Sequence, residues 1–480
     1  MTLERAPDIS NVILLSVDCL RADVSQELET LSGLMSSYIN APDCQCTGSN
    51  TYTSMPGLMQ SRLPIDAGGR LGPHPLVEGV PTLAEVLSEQ GFYCAGWHSN
   101  HFTSREFAYQ RGFEIFSDLT YDSPSRSVED SDSSSELDLS RALMSHGRAL
   151  SKQLGVEAQA KRVLEWFQKH GVFDQPSVPA ESVVNAILDR ISAANGDSSL
   201  FLWGHLMDTH SPYSPPEQYR ETISEGDVQT LNNKIRRQPQ EVTSSESELL
   251  KNLYLGSARY VDDQIARLIK QIKSGGIWDE TLLVITSDHG EMFSERSIPD
   301  YYPFEHPSYL CDYITHVPLV FAGGSLTNET VTETVSGMDI APTIATVVGA
   351  KIPNKWRGIP IMSSKYDERE FVYSVTSPGP RPTQKNEDSP DSAVHASLRT
   401  ERQAVLWWSN EDRSSELYDR SETHVDPTVH ERFLGTDNSY NDLIASRFSG
   451  DGDSRKDVTD YAEGLDEETA DRLRKLGYIE

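Results

Sequence analysis

Asn11 to Val17 (NVILLSV) is an unbroken apolar and β-branched run that ends on Asp18. With no polar residue alternating through it, such a run has no solvent face, so it reads as a strand buried on both sides, as in parallel sheets covered by helices. Two later segments follow the same pattern. Leu200 to Leu206 (LFLWGHL) ends near Asp208 and His210, and Thr281 to Thr286 (TLLVIT) delivers Ser287-Asp288-His289-Gly290-Glu291 at its carboxyl end. Helix-like stretches lie between them: Pro81 to Gln90, followed by Gly91 and FYCAGW, and the amphipathic Leu255 to Ile272, which leads through Gly275 and Gly276 into the third run. This β-α-β alternation predicts an α/β fold, and open sheets of that class bind ligands at the carboxyl ends of their strands.

The length of 480 residues, of which 37% are hydrophobic, predicts one large domain and a smaller one. Between about Thr120 and Ser140 the chain is rich in Ser and Asp (SPSRSVEDSDSSSELD) and reads as a solvated insertion, with helical segments filling much of 140–195. Beyond about Gly349 come shorter strand-like pieces (REFVYSV, QAVLWWS) and a polar end. The expected organisation is a catalytic domain over 1–350 with a helical insertion around 120–195, then a smaller subdomain and tail over 351–480.

The 73 acidic residues against 42 basic ones leave a formal net charge of -31, which repels nucleic acid and anionic membranes and argues against either as a partner. Acidity spread over a whole chain in this way is similar to that of proteins from salt-loving archaea. Five scattered cysteines, Cys19, Cys44, Cys46, Cys94 and Cys311, do not read as a disulfide framework and fit a reducing, cytoplasmic setting. No leader pattern opens the chain, and no window approaches the ~18 apolar residues that span a bilayer.

The chemistry concentrates at strand ends. Asp18, Asp288 and His289 offer two hard oxygen ligands and one imidazole, a set suited to a divalent ion such as Ca, Mg, Mn or Zn. The sheet topology predicts that these distant positions converge at one rim.

Five segments, NVILLSVDCLRAD, TSDHGE, HVPLVF, MDIAPTIATVVG and the terminal RLRKLGYIE, resemble the sulfatase family of the alkaline phosphatase superfamily. The resemblance implies an alkaline-phosphatase-like mixed, mostly parallel sheet flanked by helices, with a smaller C-terminal α+β subdomain containing Arg399 and Glu416 to Asp419. It implies Asp18, Asp288 and His289 as metal ligands. The family places its nucleophile in a Cys-x-Pro-Ser-Arg stretch thirteen residues before the proline of a turn that resembles Gln60 to Pro64 here, and the same count lands on Thr51. A threonine cannot mature to the formylglycine of sulfatases, but its hydroxyl on a metal is a competent nucleophile toward phosphorus. Ser49, Thr53 and Ser54 are alternative hydroxyls within a few residues.

Further departures bear on the site. Met55 stands where the family has its signature arginine, leaving Arg21 or Arg62 to compensate. GHLMDTHSPY resembles the anion-binding His-x-Pro stretch and implies a role for His210, while Ser99-Asn100-His101 takes the place of a Lys-Trp-His element and makes Asn100 and His101 substrate-binding candidates. His306 and His316 precede VPLVF, where the family presents a residue that protonates the leaving group. Cys19 replaces a second metal-binding aspartate and reads as a small buried residue; Cys44 and Cys46 lack a second pair at metal-like spacing. One metal is expected, although Asp208, His210 and His316 are available for a second.

Together these features predict a metal-dependent hydrolase of small-molecule or glycan sulfate or phosphate esters with Thr51 as nucleophile. The alternatives are a strict sulfuric ester hydrolase and a non-catalytic sulfatase-like binding protein.

Overall fold

The computed structural model describes residues 9–66, 73–122, 178–194, 198–220, 223–295, 304–306, 309–324, 326, 328–361, 363, 371–376, 395–399, 403–408, 415–419 and 429–433. The chain divides into two compact units, Met1–Leu119 with Val178–Glu480, and Thr120–Ser177. The Ser- and Asp-rich segment read as a solvated insertion lies almost wholly outside the described residues.

The first unit is built on eight strands: β1 (Asn11–Val17), β2 (Ile39–Asn40), β3 (Tyr93–His98), β4 (Ile115–Asp118), β5 (Leu200–Leu206), β6 (Thr281–Ser287), β7 (Leu319–Ala322) and β8 (Glu329–Thr330). Their order across the sheet is β8-β2-β7-β6-β1-β5-β3-β4. The five strands from β6 to β4 run parallel; β7 is antiparallel to both its neighbours, which makes the sheet mixed.

The apolar runs are fully buried because helices cover both faces. Ile13, Leu15 and Val17 point into one core with Leu202, Leu206, Leu283 and Ile285, while Val12 and Leu14 point into the other with Phe201, Trp203, Leu282 and Val284. The first core is closed by α1 (Glu29–Ser37), α4 (Ala180–Ala193) and α5 (Ser244–Ser274); the second by α2 (Thr51–Gln60), α3 (Leu83–Glu89) and α6 (Ile340–Val347). Strict alternation of cores along each strand is the period-2 signature of a sheet sandwiched between helix layers. Helix α4 therefore belongs to the layer beneath the sheet, although its residues fall within the range expected to be an insertion.

The long helix α5 starts eleven residues before the amphipathic stretch read from the sequence, at a reciprocal capping box between Thr243 and Glu246. Midway along it, Asp262 is 4% exposed and reaches across to α1, accepting from the amides of Thr30 at 2.8 Å and Leu31 at 3.0 Å. Leu28, at the N-cap of α1, provides no side-chain cap of its own. The carboxylate of one helix thus satisfies the open amides of another.

The C-terminal region forms an antiparallel five-stranded sheet in sequence order, β9 (Val372–Thr376), β10 (His395–Arg399), β11 (Gln403–Trp408), β12 (Ser415–Asp419) and β13 (Val429–Phe433). It belongs to the same compact unit as the large sheet. Val375 donates its amide to Thr47 O at 2.8 Å, Ser374 Oγ donates to Cys46 O at 2.6 Å, and Ser49 Oγ lies 2.7 Å from Thr376 Oγ1. Arg399, 1% exposed, bonds Asp312 Oδ1 at 3.2 Å and the Leu310 carbonyl. Edge strand β9 therefore braces the loop that leads into α2.

Replacing Asp262 by Ala strands two buried amides, so Asp262→Ala is expected to lower unfolding stability by about 1–3 kcal/mol in urea titrations. An unchanged midpoint would show that water caps α1 equally well.

Candidate active site

Strand β1 is paired with β5 and β6 so that Val17 stands opposite both Leu206 and Ser287. The residues that follow these three strand ends leave the sheet at one rim. Asp18 lies between them, fully buried, with its amide donating to Leu206 O at 2.8 Å and its carbonyl accepting from Thr209 Oγ1.

One oxygen of Asp18 gathers donors. Asn100 Nδ2 lies 2.8 Å from Oδ2, His205 Nε2 3.1 Å and Thr51 Oγ1 3.3 Å, and Asn100 Nδ2 is also 3.2 Å from Thr51 Oγ1. His205 is held in turn by Ser16 Oγ at 2.8 Å, which accepts from Trp203 Nε1 at 3.0 Å. Burial acts against charge on His205, but the hydrogen bond and charge of Asp18 outweigh it and raise its pKa. Burial also opposes ionisation of Asp18, and the nearby His210, His205 and His289 nevertheless hold it well below the usual carboxylate range.

Thr51 is the first residue of α2, 4% exposed. The neighbouring hydroxyls face elsewhere: Thr53 closes a capping box with Asn50, Ser54 Oγ bonds the backbone of Gly48, and Ser49 meets Thr376. Of the four hydroxyls, Thr51 is the one hydrogen-bonded to Asp18. A helix N-terminus adds open amides and a positive dipole end, both favourable to negative charge.

The other oxygen of Asp18 borders a set of buried atoms without hydrogen-bond partners. Asp288 Oδ2 and His289 Nε2 are fully enclosed and accept nothing. His289 Nε2 stands 3.6 Å from Asp18 Oδ1 and 3.5 Å from Asp288 Oδ2. His289 Nδ1 is 2.9 Å from Gly290 O, which makes it the protonated nitrogen and turns the Nε2 lone pair toward the two carboxylates. Burial lowers the His289 pKa and keeps the ring neutral, while burial and the charge of Asp18 raise that of Asp288. Two acids and a neutral imidazole, with orphaned lone pairs converging, are the donor set of a divalent cation. The ligand atoms of Asp18, Cys19 and His289, and those of Asp18, His205 and Asp288, fall within 4.8 Å of one another, so Asp18 is common to two such sets, one containing His289 and the other Asp288.

Beside this set lies a second group of side chains. The ligand atoms of Cys19, His210 and His306 fall within 4.8 Å of one another. Cys19 Sγ is 3.1 Å from Asp18 Oδ1, 3.7 Å from His289 Nδ1 and 3.8 Å from His306 Nδ1. Cys19 is thus buried, as read from the sequence, but its thiol faces the site rather than the core. Its backbone is left-handed at φ 64, which turns the side chain back over the strand end. Glu291 is pushed up to about 8 by burial. For His210, the charges of Asp18 and Glu291 overcome burial and raise the pKa.

Other candidates point away. His101 stands 3.5 Å from Glu106 and packs on the rings of Phe102 and Phe107. His316 Nε2 bonds the Pro42 carbonyl at 2.6 Å. Asp208 Oδ2 accepts the Ala180 amide at 2.9 Å, so neither Asp208 nor His316 joins His210 in a second metal set among the described residues. Arg21 binds Asp23 and Glu295, Arg62 lies 3.7 Å from Asp66, and Met55 is fully buried in the core. Each arginine thus faces carboxylates of its own. His205 and Glu291 carry no strand-end signal of their own: His205 lies inside an apolar strand, and Glu291 closes the Ser-Asp-His-Gly-Glu motif behind its Asp and His.

Gly290 lets the backbone of 313–314 approach: its amide donates to Ile314 O at 2.7 Å, and a Cβ there would lie 2.0 Å from Tyr313 O. Gly290→Ala is expected to cost roughly 2 kcal/mol or more of stability and to displace His289 and Glu291. Wild-type stability together with wild-type cation affinity in this variant would contradict the packing described.

The sulfatase family profile matches residues 10–350. An arylsulfatase of Clostridium perfringens is 21% identical over 85% of this chain and 87% of its own. A low-salt glycan biosynthesis sulfotransferase of Haloferax volcanii is 31% identical, over 26% of this chain; the match spans 31% of that protein's length. The solved structure of a phosphonate monoester hydrolase from Silicibacter pomeroyi superposes with a TM-score of 0.63 at 19% identity, covering 92% of this chain and 94% of that one. With a family match across most of its length and an alkaline-phosphatase-like fold beneath it, this chain belongs to the sulfatase family.

Proposed function

We propose that the protein is a metal-dependent hydrolase of small-molecule or glycan sulfate or phosphate esters, with Thr51 as its nucleophile. The observation that carries this reading is the Thr51 hydroxyl, 3.3 Å from Asp18 Oδ2 at the start of a helix and beside the orphaned lone pairs of Asp288 and His289. A divalent cation held by Asp18, Asp288 and His289 supplies two effects when bound: it lowers the pKa of the hydroxyl and offsets the charge of the ester.

Thr51 Oγ1 forms a bond to the phosphorus or sulfur as the bond to the leaving oxygen breaks, giving a Thr51 ester that water then cleaves to restore the hydroxyl. The proton lost from Thr51 and the one gained by the leaving oxygen balance through solvent. Asn100, donating from Nδ2 toward both Asp18 and Thr51, positions the nucleophile. His205 fixes Asp18 from the opposite side and keeps it ionised. His210 and His306 answer the charge that develops on the leaving oxygen.

Without an aldehyde hydrate at the nucleophile, breakdown of the intermediate requires attack at the central atom, which favours phosphate over sulfate. The named sulfotransferase relative supports a second reading, in which an acceptor hydroxyl rather than water takes the group from Thr51.

The test is turnover by the full chain, with Mg, Mn, Ca or Zn added, of an aryl sulfate, a phosphate monoester and a phosphodiester, in high salt to suit the net charge of -31. Metal-dependent phosphoester turnover that falls by about 10³-fold or more in both Thr51→Ala and Asp288→Ala is the expected result. Sulfate-only turnover, or turnover that survives Thr51→Ala, overturns the nucleophile assignment. Product formation that rises with an added alcohol supports transfer over hydrolysis.

A further inference from the structure

We propose that Cys19, His210, His306 and Glu291 form a second cation site, selective for a thiophilic divalent ion such as Zn, next to the one assigned to Asp18, Asp288 and His289. The inference rests on the reading of a metal-dependent centre given above, and it adds a site of different chemistry to it.

Geometry comes first. Zinc with nitrogen, sulfur and oxygen ligands at 2.0–2.3 Å in a tetrahedron sets its ligand atoms about 3.3–3.8 Å apart. Cys19 Sγ is 3.8 Å and Glu291 Oε1 3.6 Å from His306 Nδ1. Cys19, His210 and His306 offer ligand atoms that all lie within 4.8 Å of one another, and Glu291 adjoins this set through His306. His210 Nδ1 lies 2.5 Å from Ser211 O and so carries the proton, which leaves Nε2 as the ligand atom.

Glu291 supplies an independent observation. It is fully buried, and neither carboxylate oxygen meets a donor at normal hydrogen-bond distance; His306 Nδ1 stands 3.6 Å from Oε1. A buried carboxylate beside a thiol and two imidazoles is costly unless it takes up a proton or something cationic meets it.

Cys19 is presented with some strain. Its left-handed backbone is clamped by its own amide, 3.3 Å from Asp288 Oδ1, and by its carbonyl, which accepts Tyr254 Oη at 2.8 Å. Thiolate and imidazole select borderline ions over Ca or Mg, so the two sites sort metals by ligand softness. Binding replaces the thiol proton, which leaves to solvent, with a sulfur–metal bond.

The site also has a use. Arg21 and Arg62 face carboxylates of their own. With a cation held by His210 and His306, the positive charge that the leaving oxygen needs comes from the ion; without it, the two imidazoles supply that charge themselves.

The test uses the full chain stripped with a chelator and reloaded with Zn(II) or Co(II), reading metal content per chain and the near-ultraviolet thiolate-to-cobalt charge-transfer absorption. Wild type is expected to bind two equivalents and show the absorption. Cys19→Ala and His306→Ala are expected to keep one equivalent, the former without the absorption and both with a circular dichroism spectrum like wild type. Asp288→Ala is expected to keep one equivalent together with the absorption. A wild type that binds one equivalent without charge transfer overturns the proposal, as does absorption that persists in Cys19→Ala. If Asp288→Ala loses no metal while Cys19→Ala loses one, the Asp288 site fails and the Cys19 site stands.

Discussion

Two carboxylates, Asp18 and Asp288, follow adjacent parallel strands in register and are both fully buried, and the rest of the site is arranged around their charge. Burying one carboxylate is costly; burying two side by side forces one of them to be neutral or a cation to be present. Three donors converge on Asp18 Oδ2 and keep it ionised, while Asp288 Oδ2 and His289 Nε2 are left with nothing to accept. The donors and the orphans divide the two acids into a held side and an open side. Thr51 stands on the held side, within reach of what the open side binds.

The frame that creates this pairing was legible. Runs without a polar residue are strands with no solvent face, and the structure begins and ends β1 and β5 where those runs do. Asp18, Asp288 and His289 followed because a strand's carboxyl end is where an α/β sheet exposes functional groups. His205 was not found because it sits in LFLWGHL, where an imidazole reads as core; only the register that sets it opposite Ser16 shows that it faces Asp18. Register across a parallel sheet depends on helix packing and is not written in either strand.

Local turns account for the remaining differences. Cys19 reads as a small buried residue, and it is buried, but a left-handed turn aims its thiol at the site. Of Ser49, Thr51, Thr53 and Ser54, the capping box at Asn50 occupies Thr53 and the backbone of Gly48 occupies Ser54, while Thr51 bonds Asp18. The C-terminal strands read as an appended subdomain, and β9 bonds Thr47 and Ser49, in the loop that leads to Thr51, through a backbone amide and a hydroxyl.

The central claim is that Thr51 Oγ1 becomes covalently bonded to the transferred group. The most direct measurement is mass spectrometry of the peptide that carries Thr51, after rapid acid quenching of the metal-loaded protein during turnover of an activated phosphate ester. A phosphoryl group on Thr51, absent without metal and absent in Asp288→Ala, is the expected result. An unmodified Thr51 peptide during rapid turnover, or a phosphoryl group on Ser54 or a histidine instead, would contradict it.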